Sequence, residues 1–376
     1  MKDDNVVFSS TRPGGQGGYD LYIGDTATGE VWSLNSYLSG INTSKEELGA
    51  SYTQVNPFTD TIAEFIKTDQ FGYAPDAQKI AVISNPVTGY NSAQSFTPGN
   101  TYKVRKVSDT TEVFSGELFS WNSGSTHGQS GDQVWWFDFS ALTAPGNYYI
   151  SDPANNAGSH PFSINTDVYD DLLKQAVRTF YYQRCGMAKE VPYAESNWVD
   201  VSCHLGVEQD LDCRLVTNPV ASTSKDLSGG WHDAGDYNKY INYTDVAVHD
   251  LLSAYEENPA IWGDGYDIPE SGNGIPDLLD EIKWELDWML KMQIADGSVL
   301  HKVSALNWDD AESPPSHEST VRRYAPATAS ATINSCGVFA HAAIVFKSLP
   351  ITSMQAYGEE LEQAAISAWR YPIFLR

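Results

Sequence analysis

The sequence predicts a multidomain chain, a β-sandwich followed by an all-α domain, and three observations carry that expectation. Between residues 63 and 165, short apolar or alternating runs are separated by turns rich in Gly, Pro, Asn and Ser, the pattern of a sandwich of short strands. From about Asp167 the alternation gives way to apolar residues that recur at steps of three and four, the period of one helical face. Residues 1–62 sustain neither pattern and read as a β-rich leader. The expected boundaries are therefore 1–62, 63–165 and 166–376.

In the leader, the runs Asn5–Gly15 and Tyr19–Ile23 read as two short strands around a Gly-rich loop, and Val31–Leu34 as a third. This resembles a blade fragment of a periplasmic β-propeller of the TolB type. One blade cannot bury a core without neighbours, so the segment is expected to be a remnant or extension. In the second region Lys79–Ser84 is an apolar strand ended by Asn85-Pro86, and Thr101–Arg105 alternates as a half-buried strand does. Gln133–Phe139 and Gly146–Ile150 are further strands.

Five helices are expected in the third region. Val168, Leu172, Leu173, Ala176 and Phe180 share one face, and Val248, Leu251, Leu252 and Tyr255 repeat the spacing before Pro259. The longest stripe is Ile275, Leu278, Leu279, Ile282, Leu286, Met289 and Leu290, with Pro276 in its first turn and Gly297 just beyond its end, as helix termini prefer. Pro326 opens a helix of small residues that continues to Phe346, and a last helix runs from about Ser353 to Trp369. Strands are expected to be few after residue 167.

The formal charge of −26 repels nucleic acid and anionic membranes, and no apolar run reads as long enough to cross a bilayer. Neither partner is expected. The 11 Trp and 21 Tyr suit a neutral sugar polymer or an aromatic-rich core. The opening Met1-Lys2-Asp3-Asp4-Asn5 lacks the apolar region of a secretion signal, so a leader is expected to have been removed, or the start to be artificial. Four cysteines in 376 residues do not make a disulfide scaffold.

Chemistry concentrates in Gly229-Gly-Trp-His-Asp-Ala-Gly-Asp-Tyr-Asn-Lys-Tyr240. Asp233 and Asp236 stand three residues apart with only Ala234 and Gly235 between them. Paired carboxylates can hold a water and take its proton, and the flanking Trp231 and Tyr237 offer flat faces for a sugar ring. A bare Asp-x-x-Asp is usually a surface turn. The full motif, however, resembles the catalytic-base motif of glycoside hydrolase family 9, the cellulase family. The likeness continues in Phe180–Gly186, Ile268–Glu281, His301-Lys-Val303 and Arg323–Thr332. Asp69–Tyr73 and Pro145–Tyr149 resemble the immunoglobulin-like module that precedes the catalytic domain in one branch of that family. The resemblance implies a β-sandwich of immunoglobulin type followed by an (α/α)6 barrel, of which about half is visible.

It also implies secretion to the cell exterior or periplasm, and hydrolysis of β-1,4-glycosidic bonds in cellulose or related β-glucans with inversion. Asp236 matches the general base and Asp233 its partner, with His301, Trp308 and Tyr324 lining the cleft. The acid Glu of the family lies further downstream, and Glu359, Glu360 and Glu362 do not match it. This chain by itself is therefore expected to turn over poorly. An exo-acting glucosidase or glucosaminidase of the same family, or a non-catalytic carbohydrate-binding fragment, stands as the alternative.

Cys185, Cys203, His204 and His232 resemble a structural zinc site found in part of the family; their spacing alone equally allows a Cys185–Cys203 disulfide or buried free thiols. The oxygen-rich stretch Asp267–Asp277 suits calcium, with Glu270, Asn273 and Asp277 as candidate ligands. Plain helix capping by Asn273 is the other reading.

Overall fold

A computed structural model describes residues 5–10, 20–25, 31–33, 60–307 and 312–371. The chain divides into two compact units, Met1–Val168 and Tyr169–Arg376.

In the first unit, β1 (Asn5–Ser10), β2 (Asp20–Asp25) and β3 (Val31–Ser33) form an antiparallel meander. The remaining strands are β4 (Thr61–Ile62), β5 (Ile66–Lys67), β6 (Ile80–Pro86), β7 (Thr101–Lys106), β8 (Glu112–Glu117), β9 (Phe119–Ser120), β10 (Asp132–Asp138), β11 (Gly146–Asp152), β12 (Ala157–Gly158) and β13 (Phe162–Ile164). They make two sheets, ordered β5-β6-β10-β9 and β4-β12-β11-β7-β8, with β13 on β11. Alternation decides which side chains go inside. Tyr102 and Val104 of β7, Ile83 of β6, Phe137 of β10 and Ile150 of β11 are fully buried in one core; on β7 and β10 the chain neighbours of Tyr102, Val104 and Phe137 are exposed or half-buried, whereas on β11 Tyr149 and Ser151 are buried as well.

The second unit contains α1 (Asp170–Gln183), α2 (Ile241–Glu257), α3 (Asp277–Met292), α4 (Ala329–Ser348) and α5 (Thr352–Arg370). One apolar core joins α2, α3, α4 and α5 through Val248, Leu252, Leu279, Leu286, Phe339, Phe346 and Leu361. Two helices depart from the sequence reading. On α1 the buried residues are Val177, Arg178 and Tyr181, and Leu172 is exposed; only Phe180 of the expected stripe reaches a core neighbour, Trp231. Pro326 does not open α4. The helix begins at Ala329, capped by Thr328, whose Oγ1 accepts the Ala331 N–H at 3.2 Å. Thr328→Ala is expected to cost roughly 1 kcal/mol in chemical denaturation.

The 20 residues of α4 do reach the length and apolarity of a membrane span, contrary to the reading above. Ala331, Val338, Phe339, Ala342, Val345 and Phe346 of this helix are buried in the protein's own core, while Ile333 and Ile344 are exposed.

A small sheet that the sequence does not announce also belongs to this unit. β14 (Arg214–Leu215), β15 (Lys239–Tyr240), β16 (Lys302–Ala305) and β17 (Arg322–Tyr324) are ordered β14-β17-β16-β15. Lys239 pairs with Val303 and Tyr240 with Lys302, so the sheet anchors the end of the Gly229–Tyr240 motif.

Candidate active site

The motif is zipped onto the end of α1. The Cys185 N–H donates to the Gly230 carbonyl (2.8 Å), and the His232 N–H to the Gln183 carbonyl (2.8 Å). The Trp284 indole of α3 donates to the same Gly230 oxygen at 3.1 Å. Gly230 has φ +75°, and a Cβ there would lie 2.7 Å from the Trp288 ring, so only glycine permits this approach.

Residues 233–238 form a turn. The Asp233 N–H donates to the Asn238 carbonyl (2.8 Å), the Tyr237 N–H to the Ala234 carbonyl (3.1 Å), and Tyr237 takes a left-handed φ of 53°. The turn leaves Asp233 exposed and Asp236 half-buried. The Asp236 carboxylate accepts the Asn238 backbone N–H (3.1 Å) and side-chain amide (2.7 Å), with the Tyr240 hydroxyl at 3.4 Å. Asn238 is itself fixed, because its Oδ1 accepts the Ala305 N–H of β16 at 2.9 Å. Asp233 has no side-chain hydrogen bond among the described residues. Partial desolvation, and then the charge of Asp236, raise its carboxyl above the ordinary value. The pair thus consists of one tethered carboxylate and one untethered, interacting electrostatically at the surface.

Beneath the turn lies a buried ionic network that sequence reasoning missed. Asp210, fully buried, accepts from Arg322 Nε (2.5 Å) and pairs with Lys239 Nζ (2.7 Å). Burial pushes its carboxyl upward, and the two cations outweigh that and hold it far below the usual carboxylate range. Lys239 also donates to the carbonyls of Leu227 and Gly229 (2.8 and 2.7 Å), and Arg322 Nη2 to that of Tyr237 (2.8 Å). The two cations therefore hold both ends of the motif.

A second missed residue is Glu285 of α3, which accepts the Trp231 N–H (2.6 Å) and the Thr244 hydroxyl (2.8 Å). Burial pushes its carboxyl up to about 7 from 4.5, against the pull of those two donors. The folded state then keeps its proton to higher pH than the unfolded chain. This group therefore costs stability progressively between about pH 4.5 and 7, and in full above. Glu285→Gln retains an acceptor for Trp231. It is expected to raise stability at pH 8 by about 3 kcal/mol and to change little at pH 4.5. Urea unfolding at both pH values checks this, and an equal effect at both would refute it.

Cys185, Cys203, His204 and His232 are all buried, and one ligand atom from each lies within 4.8 Å of the others. Cys185 Sγ is 3.6 Å from His204 Nδ1, and Cys203 Sγ is 3.8 Å from His232 Nε2. Zinc bonds of ~2.3 Å to sulfur and ~2.0–2.1 Å to nitrogen at tetrahedral angles separate S and N by about 3.6 Å. These two pairs thus stand near ligand spacing, and all four atoms lie within 4.8 Å of one another. The Gly186 N–H points at Cys203 Sγ (3.4 Å), and His204 takes a left-handed φ of 56° to present its ring. All four cysteines are free thiols, so the disulfide reading does not hold.

The other expected site residues fall differently. Trp231, 7% exposed, packs on Phe180 in the helical core, and Tyr324 lies in the same core with its hydroxyl donated to the Thr223 carbonyl (2.8 Å). Tyr237 is buried against the rings of His232 and His204. None of the three presents a free ring face, because the motif's apolar side chains fill the space under the turn. His301 is half-buried, with Nδ1 3.5 Å from Thr328 Oγ1; Trp308 lies outside the described residues.

Each of the three calcium candidates makes local contacts. Glu270 forms a two-pronged pair with Arg184 (3.0 and 2.9 Å). Asn273 accepts the Ile275 N–H and donates to Asp280, and Asp277 accepts from Tyr266 and Ser271. Hydrogen bonds occupy the Glu270 and Asn273 oxygens and Asp277 Oδ2, whereas Asp277 Oδ1 is buried with no hydrogen-bond partner among the described residues; Arg184 is bound as well to buried Glu281 of α3.

Comparison with known proteins matches this arrangement to one family. The profile described as glycosyl hydrolase family 9 covers residues 169–372, and that of the cellulase N-terminal ig-like domain covers residues 63–156. Cellulose 1,4-beta-cellobiosidase of Acetivibrio thermocellus is 30% identical over 82% of this chain and 36% of its own length. A metagenome-derived glycoside hydrolase family 9 endoglucanase superposes with TM-score 0.68 at 34% identity, over 81% of this chain and 54% of its own. A structure titled as a Zn-binding triple mutant of the family 9 endoglucanase J30 superposes with TM-score 0.64 at 32% identity, over 80% of this chain and 52% of its own. The chain thus spans between about a third and a half of the length of these relatives, and it belongs to glycosyl hydrolase family 9.

Proposed function

We propose that this protein hydrolyses β-1,4-glycosidic bonds of cellulose or a related β-glucan with inversion, in the endoglucanase manner, and that the five helices belong to an (α/α)6 barrel. The observation that carries the reading is the Asp233–Asp236 turn. Asp236, tethered by Asn238 and Tyr240, is the general base, and Asp233, with no side-chain tether, positions the attacking water. Inversion requires an acid carboxyl ~6.5–9.5 Å away on the other side of the scissile bond; that role is not assigned to a residue of this chain. The test is reducing-sugar release from carboxymethylcellulose, with NMR of the first product from a soluble cello-oligosaccharide. The α-anomer should appear first. A β-anomer would exclude inversion, and no cleavage of any β-glucan by protein that also carries the acid carboxyl would exclude the activity.

The Cys185, Cys203, His204 and His232 cluster is read as a structural zinc site. Zinc there would have four protein ligands and no open position, so its contribution is to cross-link the end of α1, the Cys203-His204 loop and the motif rather than to act on substrate. Purified protein should contain one zinc per chain, and Cys203→Ser should lose it and unfold at lower temperature. A zinc-free protein of unchanged stability would remove this assignment.

A further inference from the structure

We propose that the immunoglobulin-like unit binds a neutral glucan chain in a groove at one end of its sandwich. The proposal takes its choice of ligand from the function read above; the groove itself stands on separate observations.

The groove, about 580 Å³, lies between the end of β6, the start of β10 and β9 on one side and the loop entering β7 with the end of β8 on the other. That volume is in the range of small-ligand sites. Its lining includes Asn85, Phe96, Asn100, Glu117, Gln133 and Trp135.

Three features suit a sugar. Asn85 and Gln133 face each other directly in the β6–β10 register, with Asn85 Nδ2 3.5 Å from Gln133 Oε1, so two side-chain amides sit side by side. Asn100 adds an exposed third amide with no hydrogen bond from its side chain among the described residues. Asn85 Oδ1 already accepts the Phe96 N–H (3.0 Å) and Gln133 Nε2 donates to the Gly124 carbonyl; the second N–H and second lone pair that each amide retains are what face neighbouring hydroxyls on one ring. Half-buried Trp135 supplies apolar surface beside them, as the axial C–H face of a β-linked glucose requires, while Phe96 stacks on Phe65 at 5.1 Å and backs the groove. Glu117 is the one ionisable residue of the lining, and the chain's charge of −26 disfavours acidic glycans.

The walls are set in advance. Buried Asp152 accepts the Gly99 N–H (2.9 Å), the Tyr102 hydroxyl (2.9 Å) and the Asn155 amide (2.7 Å), fixing the loop that carries Asn100. On the opposite side Asn122 and Ser123 hold φ values of 44° and 54°, and Gln133 Nε2 donates to the next carbonyl, Gly124, at 3.2 Å. These are the dihedrals of a type I′ turn, and both residues are exposed. A preformed groove loses little entropy on binding.

The experiment is hydrogen–deuterium exchange of the whole chain with cellohexaose. Protection is expected in residues 94–100 and 117–135. Asn100→Ala, whose side chain is exposed and has no internal partner to lose, should weaken cellohexaose binding at this groove roughly five- to tenfold in titration calorimetry and leave the melting temperature unchanged. Protection around residues 229–240 alone, or binding unaffected by Asn100→Ala, would overturn the proposal, as would tighter binding of a polyuronic acid at the same segments. Protection of the groove with none around 229–240 would uphold it and count against the reading of the helical unit instead.

Discussion

Replacing Asp210 with alanine is expected to lower the unfolding free energy by about 3–5 kcal/mol. The carboxylate, Arg322 and Lys239 are all fully buried. A buried ion pair contributes little relative to an apolar filling, but removing one member leaves the others as buried charges without compensation. Here one carboxylate balances two cations, and Arg322 Nη1 already has no hydrogen-bond partner among the described residues. For a unit of this size the loss corresponds to a melting shift on the order of 10 °C. Asp210→Asn keeps the shape and removes only the charge, so most of the loss should persist in it. A loss below about 1 kcal/mol in both variants, measured by urea unfolding, would show that the network is dispensable. Lys239 and Arg322 also hold the carbonyls of Leu227, Gly229 and Tyr237, so activity should fall in Asp210→Asn even at temperatures where the protein stays folded.

Asp236→Asn should lower turnover on a soluble β-glucan by roughly 10²–10⁴-fold, the usual contribution of a positioned general base. The amide keeps an oxygen that accepts from Asn238, so the turn and the far-ultraviolet dichroism should be unchanged. What is lost is the capacity to take a proton, an interaction made in the transition state, so the fall should lie in kcat with KM nearly constant. Asp233→Asn should be milder, because that residue orients the water without accepting its proton. If Asp236→Asn kept activity within tenfold, or if Asp233→Asn proved the more damaging, the assignment of base and partner would be wrong.

The line between what could be read and what could not follows the range of the interactions. Strand β7 and helices α2 and α3 are written in local periodicity, since an amphipathic face repeats every 2 or 3.6 residues, and β6 and α4 in runs of apolar or small residues. The Asp233–Asp236 turn was legible for a related reason: Ala234 and Gly235 leave the chain little else to form between two carboxylates. Strands β14 and β15 have two residues each and carry no period; they exist only because β16 and β17, more than sixty residues further along, pair beside them.

Charge shows the same limit. Glu281 and Glu285 of α3 sit four apart, as do Trp284 and Trp288, a hint that this helix has a second buried face. No local rule says that Glu281 meets Arg184 or that Glu285 meets the Trp231 amide. The aromatic rings of the motif were misplaced for that reason. Composition makes Trp231 and Tyr237 suitable for a sugar, yet the turn that leaves Asp233 exposed and Asp236 half-buried buries the residues on either side of it, Trp231-His232 and Tyr237-Asn238-Lys239. The sequence by itself determined the sandwich strands, the five helices, their order and the spacing of the carboxylate pair, all of which depend on neighbours a few residues away. The tertiary structure alone decided which charges lie inside and which rings face water, because burial is set by what the rest of the chain brings alongside.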